Sequence, residues 1–401
     1  MRLAYQYRLR PTKQQIATFE HWLELCRRQY NYRLAERFNW WEQNRCDIDR
    51  CSIISCGIAP LKDKPDYYSQ KRDLTSSKAL FPEYKELPSH TLQDVIARVE
   101  KTFDRWLKGN SKGFKSGRPR FKGKGRYHSL AFPDPIKPEH LTGKFIQLPK
   151  IGKVKIILHR PIPDGFRIKT ATITCKADGW YISLSLEDVT VPSTKIDVVP
   201  ALDNTVGIDM GLKSFLVTSD NQEVQIPQHY RKAEKRLKRL QRQLSRKKKG
   251  SNRRDRSIKR VAKAHLKVAN QRKDFHYKTA LWLLKQSQVI AHENLNIKGL
   301  AKSMLAKSVN DAGWGQFLQI LNTKAVSAGC LVVAVNPKGT SQECSDCGAT
   351  VSKTLADRWH SCQCGASYDR DHNAARNIKH RAAGHPVLQS SGNVRRVAGN
   401  H

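Results

Sequence analysis

Three acidic residues stand where a carboxylate is costly unless something neutralises it. Asp209 ends the apolar run Thr205-Val206-Gly207-Ile208-Asp209-Met210-Gly211, and Glu293 ends Val289-Ile290-Ala291-His292-Glu293-Asn294-Leu295. Asp371 lies in Tyr368-Asp369-Arg370-Asp371-His372-Asn373-Ala374-Ala375, just after a cysteine cluster. An isolated charge at the tip of a buried strand costs on the order of several kcal/mol. Divalent cations would remove that cost. Three converging carboxylates can hold two Mg²⁺ about 4 Å apart, the arrangement that cleaves phosphodiesters. Singly, each acid reads better as a solvated loop residue or a helix N-cap. Jointly, in this order and in a very basic chain, they predict a nuclease site.

The cysteines divide into two sets. Cys344-Ser345-Asp346-Cys347-Gly348 has zinc-knuckle spacing, and Cys362-Gln363-Cys364-Gly365 is its partner. Four thiolates, Cys344, Cys347, Cys362 and Cys364, make a closed structural site for one Zn²⁺, which shapes the fold rather than doing chemistry. The second knuckle has one intervening residue instead of two, so His360 stands as a substitute ligand, and a redox pair is the competing reading. Cys26, Cys46, Cys51, Cys56, Cys175 and Cys330 show no paired framework, as expected of reduced thiols in the cytoplasm.

The chain carries 73 Lys and Arg against 35 Asp and Glu, a formal net charge of +38. Self-repulsion of that size calls for a polyanion, and nucleic acid is the natural partner. No apolar stretch approaches the ~20 residues that span a bilayer, and no apolar signal segment follows Met1. The expectation is no membrane association and a cytoplasmic, nucleoid-associated location. Two basic segments suit phosphate contact. Residues 110–128 interleave Arg118, Arg120 and Lys122 with Phe121 and Tyr127, which could stack on bases. Residues 231–273 hold 20 Lys and Arg against only Glu234 and Asp255. They read as a helical hairpin turning at Gly250-Ser251-Asn252, with a narrow apolar seam (Leu237, Leu240, Leu244, then Ile258, Val261, Ala262) and an outer face bearing Arg239, Arg242, Arg246 and Lys249.

The elements that must position these residues follow from periodicity. Residues 2–10 alternate as a strand. Thr12 and Gln15 form a capping box ahead of a helix carrying Ile16, Phe19, Leu23, Cys26, Tyr30 and Leu34 at helical spacing. A second helix begins near Ser89. Strands at 144–148, 154–158, 168–174 and 180–186 are separated by turns, with Asp178-Gly179 as a hairpin signal. They predict a small β-barrel, closed with the first strand and interrupted by a helical insertion at 12–110. After a linker at 191–204 come a hairpin of strands 206–209 and 215–218, the basic helical pair, a strand at 288–293, a helix near 311–328 with Trp314 as a core residue, and a strand at 330–335. The tail from about 380 lacks periodicity and reads as disordered.

The order Gly207-Ile208-Asp209-Met210-Gly211-Leu212-Lys213, His292-Glu293-Asn294-Leu295, Asn336-Pro337, Thr340-Ser341-Gln342, the Cys344–Gly348 knuckle and Asp369-Arg370-Asp371-His372-Asn373-Ala374-Ala375 resembles TnpB. That family comprises the RNA-guided endonucleases of small bacterial insertion sequences, the presumed ancestors of type V CRISPR effectors. Tyr30-Asn31-Tyr32, Leu87-Pro88-Ser89 and Gly117-Arg118-Pro119-Arg120-Phe121 are similar to segments of the same family. The resemblance implies an α+β multidomain protein. Residues 1–11 and 111–195 would form a β-barrel wedge domain, and 12–110 an inserted helical recognition domain. Residues 205–338 and 366–380 would form an RNase H-like (RuvC) nuclease domain interrupted by a zinc ribbon at 339–365, before a disordered tail at 381–401. It implies a guide RNA from the element's end, double-stranded target DNA with a short adjacent motif, and one monomer per RNA. It assigns Asp209, Glu293 and Asp371 to the catalytic triad, with Asp369 as the runner-up for the third place. Two rivals are a nuclease-inactive RNA-guided DNA-binding regulator and a transposase that joins strands itself. A compact CRISPR effector is a variant of the main reading.

Overall fold

The computed structural model describes residues 2–45, 61–109, 113–190, 197–354 and 357–385. Cys46, Cys51 and Cys56, much of the irregular stretch at 44–80, and all of the expected tail from 386 onward lie outside the described residues. The chain divides into two compact units, Met1–Pro192 and Ser193–His401.

In the first unit, strand β1 (Arg2–Arg10) leads into helix α1 (Lys13–Asn44). The Thr12 hydroxyl accepts from the Gln15 amide, and the Gln15 side chain accepts from the Thr12 amide, so the capping box is present. Helices α2 (Tyr67–Arg72), α3 (Leu74–Leu80) and α4 (Ser89–Leu107) follow. Two fully buried arginines on α1 tie them together. Arg33 pairs with Asp73 at 2.7 Å, and Arg37 donates to Gln70 at 3.0 Å; a buried guanidinium needs such partners. Strands β2 (Ser129–Phe132), β3 (Leu141–Thr142), β4 (Phe145–Leu148), β5 (Gly152–Ile157), β6 (Arg167–Lys176) and β7 (Gly179–Glu187) complete the unit. They form one seven-stranded sheet with β1 in the order β2-β6-β7-β1-β5-β4-β3. The expected closed barrel is therefore a half-barrel: no pairing joins β2 to β3 among the described residues. The inner face is covered instead by α1 and α4, whose apolar stripes share a single core with the strands; Phe19 of α1 packs on Trp180 of β7 with ring centroids 4.9 Å apart. The β6–β7 hairpin pairs Lys176 with Gly179, so its turn residues are Ala177 and Asp178 rather than the expected Asp178-Gly179.

The second unit opens with antiparallel strands β8 (Thr205–Asp209), β9 (Ser214–Thr218) and the unforeseen β10 (Glu223–Gln225). The basic helices α5 (His229–Ser245) and α6 (Asn252–Gln286) follow, the latter capped by the Ser251 hydroxyl. Strand β11 (Val289–Glu293) pairs parallel to β8. After α7 (Ile297–Leu300) and α8 (Ala306–Ala312), Gly313 adopts a left-handed conformation (φ 70°) that separates α8 from α9 (Trp314–Ala328). Strand β12 (Leu331–Val335) pairs parallel to β11, giving the sheet order β10-β9-β8-β11-β12. A cysteine-bearing loop and the hairpin of β13 (Trp359–Ser361) and β14 (Ser367–Asp369) lead into α10 (Arg370–Ala383). The hairpin thus closes at Asp369, beyond the expected ribbon boundary at 365, and α10 continues past 380. Trp314 is buried, as expected.

Strand alternation divides the second sheet's faces. Val206, Ile208 and Ile290 pack with Ala280, Leu283, Phe317 and Leu321 of α6 and α9. Ala291 and Val335 face the other way, onto Ile378 of α10. Gly207 belongs to that second face. A Cβ there would lie 2.1 Å from the Ala375 carbonyl oxygen and 2.6 Å from the Lys379 nitrogen. Glycine lets α10 lie directly on β8, and this contact sets the position of everything at the helix's start.

Candidate metal-dependent nuclease site

Parallel pairing puts His292 beside Ile208, so the next residues, Glu293 and Asp209, emerge together at the C-terminal ends of the two central strands. Both share the parity of Ala291 and Gly207 and face α10. The first turn of α10 carries Asp371. The structure therefore brings all three carboxylates to one end of the sheet, near enough for the charges of Glu293 and Asp371 to act on Asp209. Burial raises the Asp209 carboxyl well above the usual carboxylate range, and the charges of Glu293 and Asp371 raise it further against an opposing pull from Arg370. Asp209 is half-buried at the end of β8, and the strands and helix around it leave it poorly hydrated. Glu293 is buried; its pKa is raised by burial, opposed by a hydrogen bond from Thr340 and the charge of Arg381. A carboxyl such as Asp209, raised by burial and by two neighbouring carboxylates, is one that a cation would return to the ionised state.

The two acids of the Asp-Arg-Asp triplet have different roles. Asp369 is the N-cap of α10, and its Oδ1 accepts from the Asp371 amide at 2.9 Å. Asp371 has its carboxylate Oδ1 3.6 Å from Arg370 Nε. Capping occupies Asp369, which favours Asp371 as the third member.

The four cysteines predicted to bind metal come together. Their Sγ atoms all lie within 4.8 Å of one another, with Cys344 and Cys364 at 3.7 Å and Cys347 and Cys362 at 3.6 Å. A tetrahedral site with Zn–S near 2.3 Å requires S···S edges of about 3.8 Å, so the donor set fits a zinc ion. The shortened second knuckle does not impair it. Gly348 and Gly365 adopt φ of 78° and 90° just after the knuckles, where any other residue would be strained. His360 lies outside the sulfur cluster: its ring is buried, with Nδ1 against the Lys353 ammonium.

The expected nucleic-acid contacts separate into two kinds. Arg239, Arg242, Arg246 and Lys249 are exposed on the α5 side of the hairpin. A groove of about 640 Å³ runs between α5 and α6, floored by Leu237, Leu240 and Val268 and rimmed by Arg236, Arg260 and Lys263. Ile258 is not part of the apolar seam, being 45% exposed. In the 110–128 segment Arg120 is exposed, but Arg118 pairs with Glu42 at 2.5 Å and lies 4.4 Å over the Phe38 ring. The Lys122 amide donates to Asn31 at 2.7 Å, and its carbonyl accepts from Arg27 and Asn31 at 3.0 Å. Tyr127 is buried, so it is a core residue and not a stacking platform; Phe121 is 55% exposed. Thr340 and Asn373 stand in the quoted motifs, but sequence reasoning missed the polar network they form near the triad with Asn377 and Arg381, because none of these residues sits in a periodic or charge signal of its own. No helix among the described residues is long and apolar enough to cross a membrane.

Three family models match, together over more than half of the chain: a helix-turn-helix domain of OrfB_IS605 over residues 1–46, OrfB_IS605 ("Probable transposase") over 188–304, and a Cas12f1-like TNB domain over 314–378. Over 2–44 the structure has a strand and one continuous helix. A protein of Streptomyces pristinaespiralis provisionally named an RNA-guided DNA endonuclease is 29% identical over 380 residues, spanning 94% of this chain and 88% of the relative. One of Escherichia coli K12 with the same provisional name is 29% identical over 404 residues, spanning 96% and 93%. The Cas12f1 chain of a complex with sgRNA and target DNA superposes with a TM-score of 0.50 at 16% identity, over 90% of this chain and 82% of that one, a likeness of fold. The matched segments, the full-length relatives and the shared fold agree with the sequence motifs, and the chain belongs to the TnpB (IS605 OrfB) family.

Proposed function

We propose that this chain is an Mg²⁺-dependent, RNA-guided DNA endonuclease of an insertion-sequence element. The observation that carries the reading is the approach of Asp209, Glu293 and Asp371 to one another at one end of the sheet in a chain of net charge +38, whose relatives carry an RNA-guided endonuclease name. In this reading Asp209, Glu293 and Asp371 would together hold two Mg²⁺ ions. Bound there, the ions supply an activated water for in-line attack and stabilisation of the leaving 3′-oxygen. The chain's own residues hold the ions, aim the carboxylates and restrict water: α10 closes one side of the site through Gly207, and Asp369 fixes the turn that presents Asp371.

Sequence choice would come from base pairing between guide and target, with the protein gripping phosphates. Residues 1–11 and 111–195 serve as the wedge domain, 12–110 as the recognition domain, 205–338 with 366–380 as the RuvC-like nuclease, and 339–365 as its zinc ribbon. The guide would derive from the transposon end, one monomer would act per RNA, and the complex would read a short motif beside the target in the cytoplasm. The test is to sequence the RNA that co-purifies with the protein and then assay cleavage of a matched plasmid with Mg²⁺. A single structured RNA ending in a variable guide, and cuts only in matched DNA, are expected. Tight binding of matched DNA with no cleavage at any Mg²⁺ concentration would instead establish the nuclease-inactive regulator.

A further inference from the structure

Thr340 lies on the loop between β12 and the first zinc knuckle and is 4% exposed. Its hydroxyl donates to Glu293 Oε1 at 2.5 Å. The loop that carries it is fastened to α10. Asn377 Nδ2 donates to the Thr340 carbonyl at 2.9 Å and to the Glu343 carbonyl at 2.7 Å. Asn373 Nδ2 donates to the Glu343 carbonyl at 2.8 Å, while its Oδ1 accepts from the Ser345 amide, inside the knuckle, at 3.0 Å. Arg381 bridges the Asn336 carbonyl and Glu343, both at 2.6 Å. Asn373 and Asn377 are buried, and buried amides used at several atoms hold backbone in one place.

We propose that Thr340 is a positioning residue for the metal site, and that the zinc ribbon and α10 together hold its hydroxyl against Glu293. This inference rests on the metal-dependent reading of the triad given above. The donated hydrogen bond occupies Oε1 and orients the carboxylate so that Oε2 is presented to a cation. The helix that delivers Asp371 also clamps the loop that aims Glu293, so two of the three ligands are set by one element. Outer partners of this kind change metal affinity by about 10- to 100-fold when removed.

The test uses the full-length chain freed of RNA, and Mn²⁺ titration followed by electron paramagnetic resonance. Glu293→Gln and Asp209→Asn define the binding that belongs to the triad. Thr340→Val keeps the shape and removes the hydroxyl; it is expected to weaken that binding by about 10- to 100-fold. Thr340→Ser is expected to restore it. Zinc content and melting temperature report whether the ribbon is intact; if the valine variant loses either, Thr340→Ala takes its place. Thr340→Val binding like wild type while Glu293→Gln does not would overturn the positioning role alone. Wild-type Mn²⁺ binding that is indifferent to both Glu293→Gln and Asp209→Asn would overturn the metal reading, and this inference with it.

Discussion

Replacing Arg239, Arg242, Arg246 and Lys249 with glutamine tests whether the basic hairpin grips nucleic acid. All four side chains are exposed, and the ion pairs of Glu234, to Lys238 and Lys307, leave them untouched. Each phosphate neutralised by such a group contributes roughly 0.7 to 0.9 to the slope of log K against log salt. Four lost contacts should therefore flatten the line by about 3. Between about 50 and 200 mM salt, a slope change of that size corresponds to a roughly 50- to 150-fold difference in how much affinity falls. The assay is a salt titration of guide-RNA binding, repeated with a scrambled RNA, because phosphate contacts carry no sequence information. The loss should be the same for both RNAs. Arg118→Gln is the internal control: Arg118 is held by Glu42 and stacked on Phe38, so it should change stability more than slope. Parallel lines with equal affinity for wild type and the quadruple variant would refute the argument. Leu240→Ala costing more than all four replacements would show that only the packing between the helices matters.

Asp209→Ala, Glu293→Ala and Asp371→Ala should each abolish cleavage while leaving RNA-guided DNA binding largely intact, measured as cutting and mobility shift of one matched duplex; an active Asp371→Ala beside a dead Asp369→Ala would reverse the assignment within the triplet. Elemental analysis should find about one zinc per chain, the content of one four-thiolate site. Cys344→Ser should lower both zinc content and melting temperature, since the metal contributes folding energy, and unchanged zinc after loss of both Cys362 and Cys364 would contradict the ligand set. In the metal-free protein Asp209 and Glu293 should contribute a loss of stability as pH rises. The folded pKa values of Asp209 and Glu293 are raised, so the native state holds protons that the unfolded state has released, and their favourable contribution, full below about pH 4, disappears as pH passes through the folded values. Melting curves across pH should show that decline, Mg²⁺ should reverse it near neutrality, and Asp209→Asn should flatten it; a decline unchanged in Asp209→Asn would remove that residue as its source.

What could be read from the sequence were features whose cause is local. The Thr12–Gln15 capping box, the alternation of residues 2–10, the glycine after each cysteine knuckle, and the apolar runs ending in Asp209 and Glu293 each announce themselves within a few residues, because capping, pleat and knuckle geometry involve near neighbours. Joining the three acids and four cysteines needed only their order, helped by the family resemblance. The tertiary structure decided what depends on distant partners. It opened the expected barrel into a half-barrel covered by helices, since sheet closure depends on strands far apart in the chain. It buried Tyr127 in the core and set Arg118 in a surface ion pair with Glu42. It separated Asp369 from Asp371 by giving one the helix cap, and it placed Thr340 on Glu293. In each case the sequence supplies a residue with several chemical uses, and the choice among them is made by which neighbour reaches it first and excludes water.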